Sequence, residues 1–132
     1  MISESFRATW SPRILSILRI VVGLLFLEHG LSKYFGFPAP SPASFQMMGL
    51  LGLAGLIEIV ASGFIVIGLF TRVAAFIASG EMAFAYFMVH FPKNFFPLVN
   101  GGEGAVLYCF IFLFIALEGA GPWSIDAARS RA

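Results

Sequence analysis

Long apolar runs separated by short polar or proline-rich breaks organise this chain. Four runs cover residues 14–35, 47–70, 73–91 and 104–123. Each is about 19 to 24 residues long, and roughly 20 helical residues cross the ~30 Å hydrocarbon core of a bilayer. A helix buried in a soluble core is normally shorter, so the pattern predicts membrane spans. The breaks fit this division. Residues 36–43 hold three prolines in alternation and cannot continue a helix. Thr71 and Arg72 form a tight turn that makes the second and third spans antiparallel neighbours. Pro92 and Pro97 bound the third connection, Asn100-Gly101-Gly102 turns the chain, and Glu103 opens the fourth span, where the helix dipole favours a carboxylate. The expected fold is an all-α, four-helix transmembrane bundle, up-down-up-down, built as one membrane domain over residues 1–132.

Composition agrees with this pattern. Charged residues are only 11% of the chain, against about 25% in ordinary soluble domains. With a net charge of +1, no basic surface points to nucleic acid. Cys109 is the lone cysteine, which excludes an internal disulfide and a paired-cysteine redox motif; it is expected to pack as a small hydrophobe. The N-terminal segment lacks the small-residue cleavage pattern of a signal peptide, so the first helix is expected to be retained. Arg7, Arg13, Arg72, Arg129 and Arg131 fall on one side of the expected membrane, and Lys33 and Lys93 on the other. The positive-inside rule therefore places both termini in the cytoplasm.

Charge within the apolar runs carries the candidate chemistry. Arg19, Glu28, Glu58, Glu81 and Glu118 all lie inside them, where a charge costs at least ~2.5 kcal/mol. At 1.5 Å per residue, Glu28 lies roughly 12 Å and Glu58 and Glu81 roughly 15 Å from the outer ends of their spans, with His29 about 10 Å deep. Three carboxyls on three helices thus share one layer. Grouped carboxylates in a low dielectric cannot all be charged, which suits them to proton transfer or to holding a polar head group. The bland alternative is neutral, hydrogen-bonded glue between helices. Ala54, Glu58 and Ser62 recur at i, i+4 and i+8, with Gly55 and Gly63 flanking Ile59, so a small-residue face should turn Glu58 inward. Arg19 and Glu118 lie deeper, at similar levels, and are expected to pair. Lys33 sits one turn beyond His29 on the same face, and both should stand near the mouth of a pocket. His29 and His90 differ in depth by roughly 9 Å, which disfavours haem ligation between them. Glu28 and His29 are adjacent rather than spaced as in di-iron carboxylate sites, so no metal site is expected.

Arg19-xxx-Gly23, His29-Gly30-xx-Lys33, Glu58, Gly68-Leu69-Phe70-Thr71-Arg72, Pro97-Leu98-xx-Gly101-Gly102-Glu103 and Tyr108, taken in this order and spacing, resemble the DoxX family of small four-helix membrane proteins. DoxD-like and MauE-like relatives belong to the same group. The resemblance runs from about Arg13 to Asp126. It implies a multi-pass protein of a bacterial-type inner membrane, and a subunit or partner of a quinone-linked or thiol- and sulfur-linked redox system. Without a cysteine pair, autonomous disulfide chemistry is not expected, while a quinone-facing role stays open. On this view Glu58, Glu81 and Glu28 handle protons, and His29, Lys33, Glu103 and Tyr108 shape the ligand site. A soluble oxidoreductase partner and a homo-oligomer also remain open beside the lipid bilayer. A non-enzymatic scaffold, or a small-solute or proton permeation unit, is the alternative. The arginine asymmetry makes a direct prediction. Cysteines introduced near residue 40 and residue 95 should be labelled from the side opposite to one at the C-terminus, and labelling of all three from one side would refute the topology.

Overall fold

The computed structural model describes residues 1–41 and 49–131. Among these the chain is helical. Helix α1 spans Glu4–Phe35, α2 Leu50–Ile67 and α3 Thr71–Ala85, which continues as a π-helical turn over Tyr86–His90. Two short helices, α4 (Pro97–Asn100) and α6 (Ile125–Ser130), flank α5 (Glu103–Glu118).

The ends of these helices follow from local chemistry. α1 starts ten residues earlier than its apolar run because the Ser3 hydroxyl caps it, accepting from the Phe6 N–H, and because Glu4 sits in the first turn. It runs through Pro12 and stops at Gly36, which is left-handed at φ 65°. The expected start of the second span at Met47 lies outside the described residues. α2 ends at Gly68, again left-handed, and the turn to α3 comes there, so Thr71 and Arg72 are already helical. α5 is shorter than expected. It stops at Glu118 because Gly119 and Gly121 take positive φ values, and residues 119–124 leave the helix axis.

Three helical stretches are long and apolar enough to cross a membrane: Glu4–Phe35, Leu50–Ile67 and Thr71–His90. α5 is comparably apolar, but its 16 residues reach only about 24 Å. α1 packs on α2, α2 on α3 and α3 on α5. Close approach of α1 to α2 depends on Gly30, where a Cβ would stand 2.9 Å from the Gly55 carbonyl oxygen. The core is a small cluster that includes Phe26, Ile65, Ala75, Ala78, Phe112 and Ile115. Large apolar side chains such as Leu24, Leu53, Phe76, Phe84, Phe110 and Leu117 point outward, as lipid contact requires.

The end of the bundle nearest Arg72 is closed by charge. Arg19 is completely buried and does not pair with Glu118, which is exposed. Its guanidinium instead donates to the carbonyls of Ala120 (3.0 Å) and Trp123 (2.7 Å). These acceptors lie just past α5, where the chain has left the helix and its carbonyls take the place of the expected carboxylate. Arg72 acts similarly, donating to the carbonyls of Ala116, Leu117 and Glu118. Gly68 leaves room for this arrangement, since a Cβ there would run into Arg19 Nη1. The Asp126 carboxylate caps α3 from a distant part of the chain, accepting from the N–H groups of Phe70 and Thr71, each at 2.9 Å. Desolvation opposes its charge, but these donors and nearby Arg129 outweigh that effect and hold the carboxyl below its usual range.

This network predicts the outcome of a mutant pair. Arg19→Leu should cost about 3 kcal/mol, since it removes two hydrogen bonds from a charged donor, whereas Glu118→Leu should be nearly neutral. Thermal unfolding in detergent should show no rescue of Arg19→Leu by Glu118→Leu. Recovery in the double variant would restore the carboxylate pairing.

Candidate functional site

At the opposite end of the bundle, helical periodicity brings polar side chains from four helices together. Gly52, Gly55, Glu58, Ser62 and Ile65 form the buried face of α2, so the small-residue face turns Glu58 inward. Its side chain is 2% exposed. From α1, Lys33 reaches the same level, and its Nζ lies 2.6 Å from both Glu58 carboxylate oxygens. The long aliphatic stem of Lys33 carries the ammonium inward to Glu58, so this residue belongs to the interior of the site rather than its mouth. Tyr34, one residue on, donates its hydroxyl to the Gly52 carbonyl at 2.8 Å and secures the same helix pair.

Glu81 on α3 lies within electrostatic range of both Glu58 and Lys33. Its Oε2 is buried and has no hydrogen-bond partner among the described residues. A buried carboxyl oxygen left this way is costly, and so is rare in a satisfied core. Two residues before Glu81, on the other side of α3, the Ser79 hydroxyl is used, donating to the Cys109 carbonyl at 2.7 Å and lying 3.5 Å from its sulfur. Cys109, on α5, is thereby packed against α3.

Tyr108 on α5 forms the aromatic side of the cluster. Its ring stacks on Phe112, with centroids 5.8 Å apart, and meets His29 edge-on at 5.6 Å. Tyr108 is within electrostatic range of both the exposed Glu28 and the buried Glu58. His29 is itself within range of Lys33 and Glu28. Helix α1 turns Glu28 and His29 to its exposed surface, and Glu28 is therefore outside the bundle interior. Glu103 is exposed in the first turn of α5. The structure thus gathers Lys33, Glu58 and Glu81 inside, with Tyr108 and His29 at the edge and Glu28 on the rim.

Sequence reasoning missed a second polar knot at this end. Asn100 is buried, donates to the Tyr86 hydroxyl and the Asn94 carbonyl, and accepts from the Gly102 N–H at 2.7 Å. His90 Nδ1 lies 3.1 Å from the Asn100 carbonyl oxygen. The Asn-Gly-Gly sequence signalled a turn, but not the buried side chain that organises it. His90 is thus held by a nearby loop, whereas His29 meets the Tyr108 ring across helices.

Replacing Lys33 tests whether the buried pair is energetically coupled. Lys33→Met should destabilise by about 3–5 kcal/mol, because Glu58 would be left buried without its partner. The double variant Lys33→Met/Glu58→Met should recover most of that loss in thermal unfolding. Equal damage in single and double variants would remove the coupling.

The sequence model of the DoxX family matches residues 14–91, more than half of the chain. A protein of Haemophilus influenzae described as uncharacterized is 45% identical over 122 residues, covering 89% of this chain and 91% of its own. An uncharacterized membrane protein of Mycobacterium tuberculosis is 25% identical over 136 residues, covering 91% of this chain and 83% of its own. No solved structure matches.

Proposed function

The chain belongs to the DoxX family of membrane proteins, and from that premise we propose that it is a membrane subunit or partner of a redox system whose intramembrane site holds a quinone-like head group. The unpaired Glu81 oxygen carries this reading. Lys33 and Glu58 satisfy each other, so Glu81 is the group left to meet a ligand. A carboxylic acid donates to a quinone carbonyl, and a carboxylate accepts from a quinol hydroxyl. One side chain therefore serves both redox states. The Tyr108 and His29 rings offer a planar head group an aromatic wall. Glu28, on the rim, links the site to protons outside it. Electrons would come from a soluble oxidoreductase partner, since the chain has no paired cysteines.

The proposal includes a bacterial inner-membrane location with four spans, up-down-up-down, and both termini in the cytoplasm. α5 is the fourth span, and the bilayer thins or the flanking residues adapt to its length. The arginines at one end and Lys33 and Lys93 at the other support this orientation. Solute permeation is less well supported, because Phe26, Ile65, Phe112 and Ile115 fill the interior between the site and the Arg72 end.

Purification from native membranes, followed by mass spectrometry of extracted lipids, tests the reading. Wild-type protein should carry quinone, and Glu81→Leu should fold normally yet carry about tenfold less, as expected for loss of a hydrogen bond worth about 1.5 kcal/mol. Equal quinone in both proteins, or none in wild type even in nanodiscs loaded with quinone, would overturn it.

A further inference from the structure

The N-terminal extension of α1 builds a second site, far from Glu81. It flanks a groove of about 790 Å³ against the end of α5 and the segment that follows it. The groove wall contributed by α1 changes character along its length. Arg7 and Ser11 stand at one end, followed by Ile14, Leu15 and Leu18. These positions fall at i, i+4, i+7, i+8 and i+11, which is one stripe of a helix. A cation and a hydroxyl therefore sit above an apolar channel, whose far wall includes Phe114.

Because α1 is a candidate membrane span, the apolar part of this groove abuts lipid rather than water. Phe6 and Trp10 pack together beside the polar end, and aromatic residues of this kind mark the membrane–water interface. The polar end is also the basic end of the protein. Arg13 lies over the Trp10 ring, while Arg129 and Arg131 lie close to the chain terminus. Arg19 and Arg72 are already committed to backbone carbonyls, whereas Arg7 is exposed with no ionic partner among the described residues. Glu118, on the groove's other wall, supplies an acceptor for a headgroup hydroxyl.

We infer that this groove is a binding site for one anionic phospholipid. An acyl chain lies along Ile14, Leu18 and Phe114, and the phosphodiester is held by Arg7 and Ser11. The ligand is a membrane lipid rather than free phosphate because most of the groove is apolar.

Native mass spectrometry of the purified full chain tests this with dioleoyl phosphatidylglycerol, dioleoyl phosphatidylcholine and inorganic phosphate as probes. Wild type should retain one phosphatidylglycerol at least about fivefold more tightly than phosphatidylcholine, the gain expected from one basic residue facing an anionic lipid. Arg7→Ala/Ser11→Ala should erase that preference and leave thermal unfolding in lipid-free detergent unchanged. Arg7→Lys should keep part of it, and Arg13→Ala, outside the groove, should keep most. Equal retention of the two lipids, an unchanged preference in Arg7→Ala/Ser11→Ala, or an equal loss in Arg13→Ala would overturn the proposal. So would displacement of the lipid by phosphate alone, or a dimer that excludes lipid from the groove.

Discussion

A helical bundle in hydrocarbon has no water to satisfy the polar groups it buries, so each charge must find its partner within the protein. Most of this structure can be understood as an answer to that constraint. At one end, Arg19 and Arg72 take up backbone carbonyls freed by the early end of α5. Asp126 takes up N–H groups freed at the start of α3. At the other end, Lys33 and Glu58 neutralise each other between α1 and α2. Buried side-chain atoms without a partner among the described residues are Arg19 Nε, Thr71 Oγ1 and Glu81 Oε2. Glu81 differs from the other two in kind. It is an acid beside another acid, within a charged cluster, and its missing partner is an acceptor when it is protonated and a donor when it is ionised.

The two ends therefore have different characters. Near Arg72, contacts join segments far apart in sequence: Ser16 accepts from the Trp123 N–H, and the Asp126 N–H donates to the Gly68 carbonyl. These bonds consume most of the polar groups at this end, leaving Arg19 Nε and Thr71 Oγ1, and they fix how the chain leaves the bundle. Near Lys33, the polar groups come from four helices and are not all consumed. α1 and α5 meet there mainly through rings, with Phe26 against Phe112 at 4.8 Å and His29 against Tyr108 at 5.6 Å.

Much of this was legible in the residues themselves. The family resemblance followed from motif order, and the family match confirms it. The inward turn of Glu58 followed from small residues at helical spacing on either side of it. What escaped was set by reach and by backbone rather than by periodicity. Lys33 was expected at a pocket mouth because its Cα lies there, but a four-carbon stem carries its charge inside. Arg19 was matched to Glu118 because both are charged and equally deep, yet Gly119-Ala120-Gly121 ends the helix and supplies carbonyls instead. Glu28 shared the depth of Glu58 and Glu81, but depth does not specify rotation about the helix, and it faces outward. The fourth apolar run overestimated α5 for the same reason that Arg19 was misassigned: two glycines interrupt it.

The central claim is that Glu81 stands ready for a ligand beside a self-satisfied Lys33–Glu58 pair. An experimental density map of the protein in lipid nanodiscs tests it most directly. The account predicts Lys33 Nζ between the two Glu58 oxygens and non-protein density within hydrogen-bonding distance of Glu81 Oε2. A map in which Glu81 is satisfied by protein groups, or in which Lys33 leaves Glu58 for the surface, would contradict it.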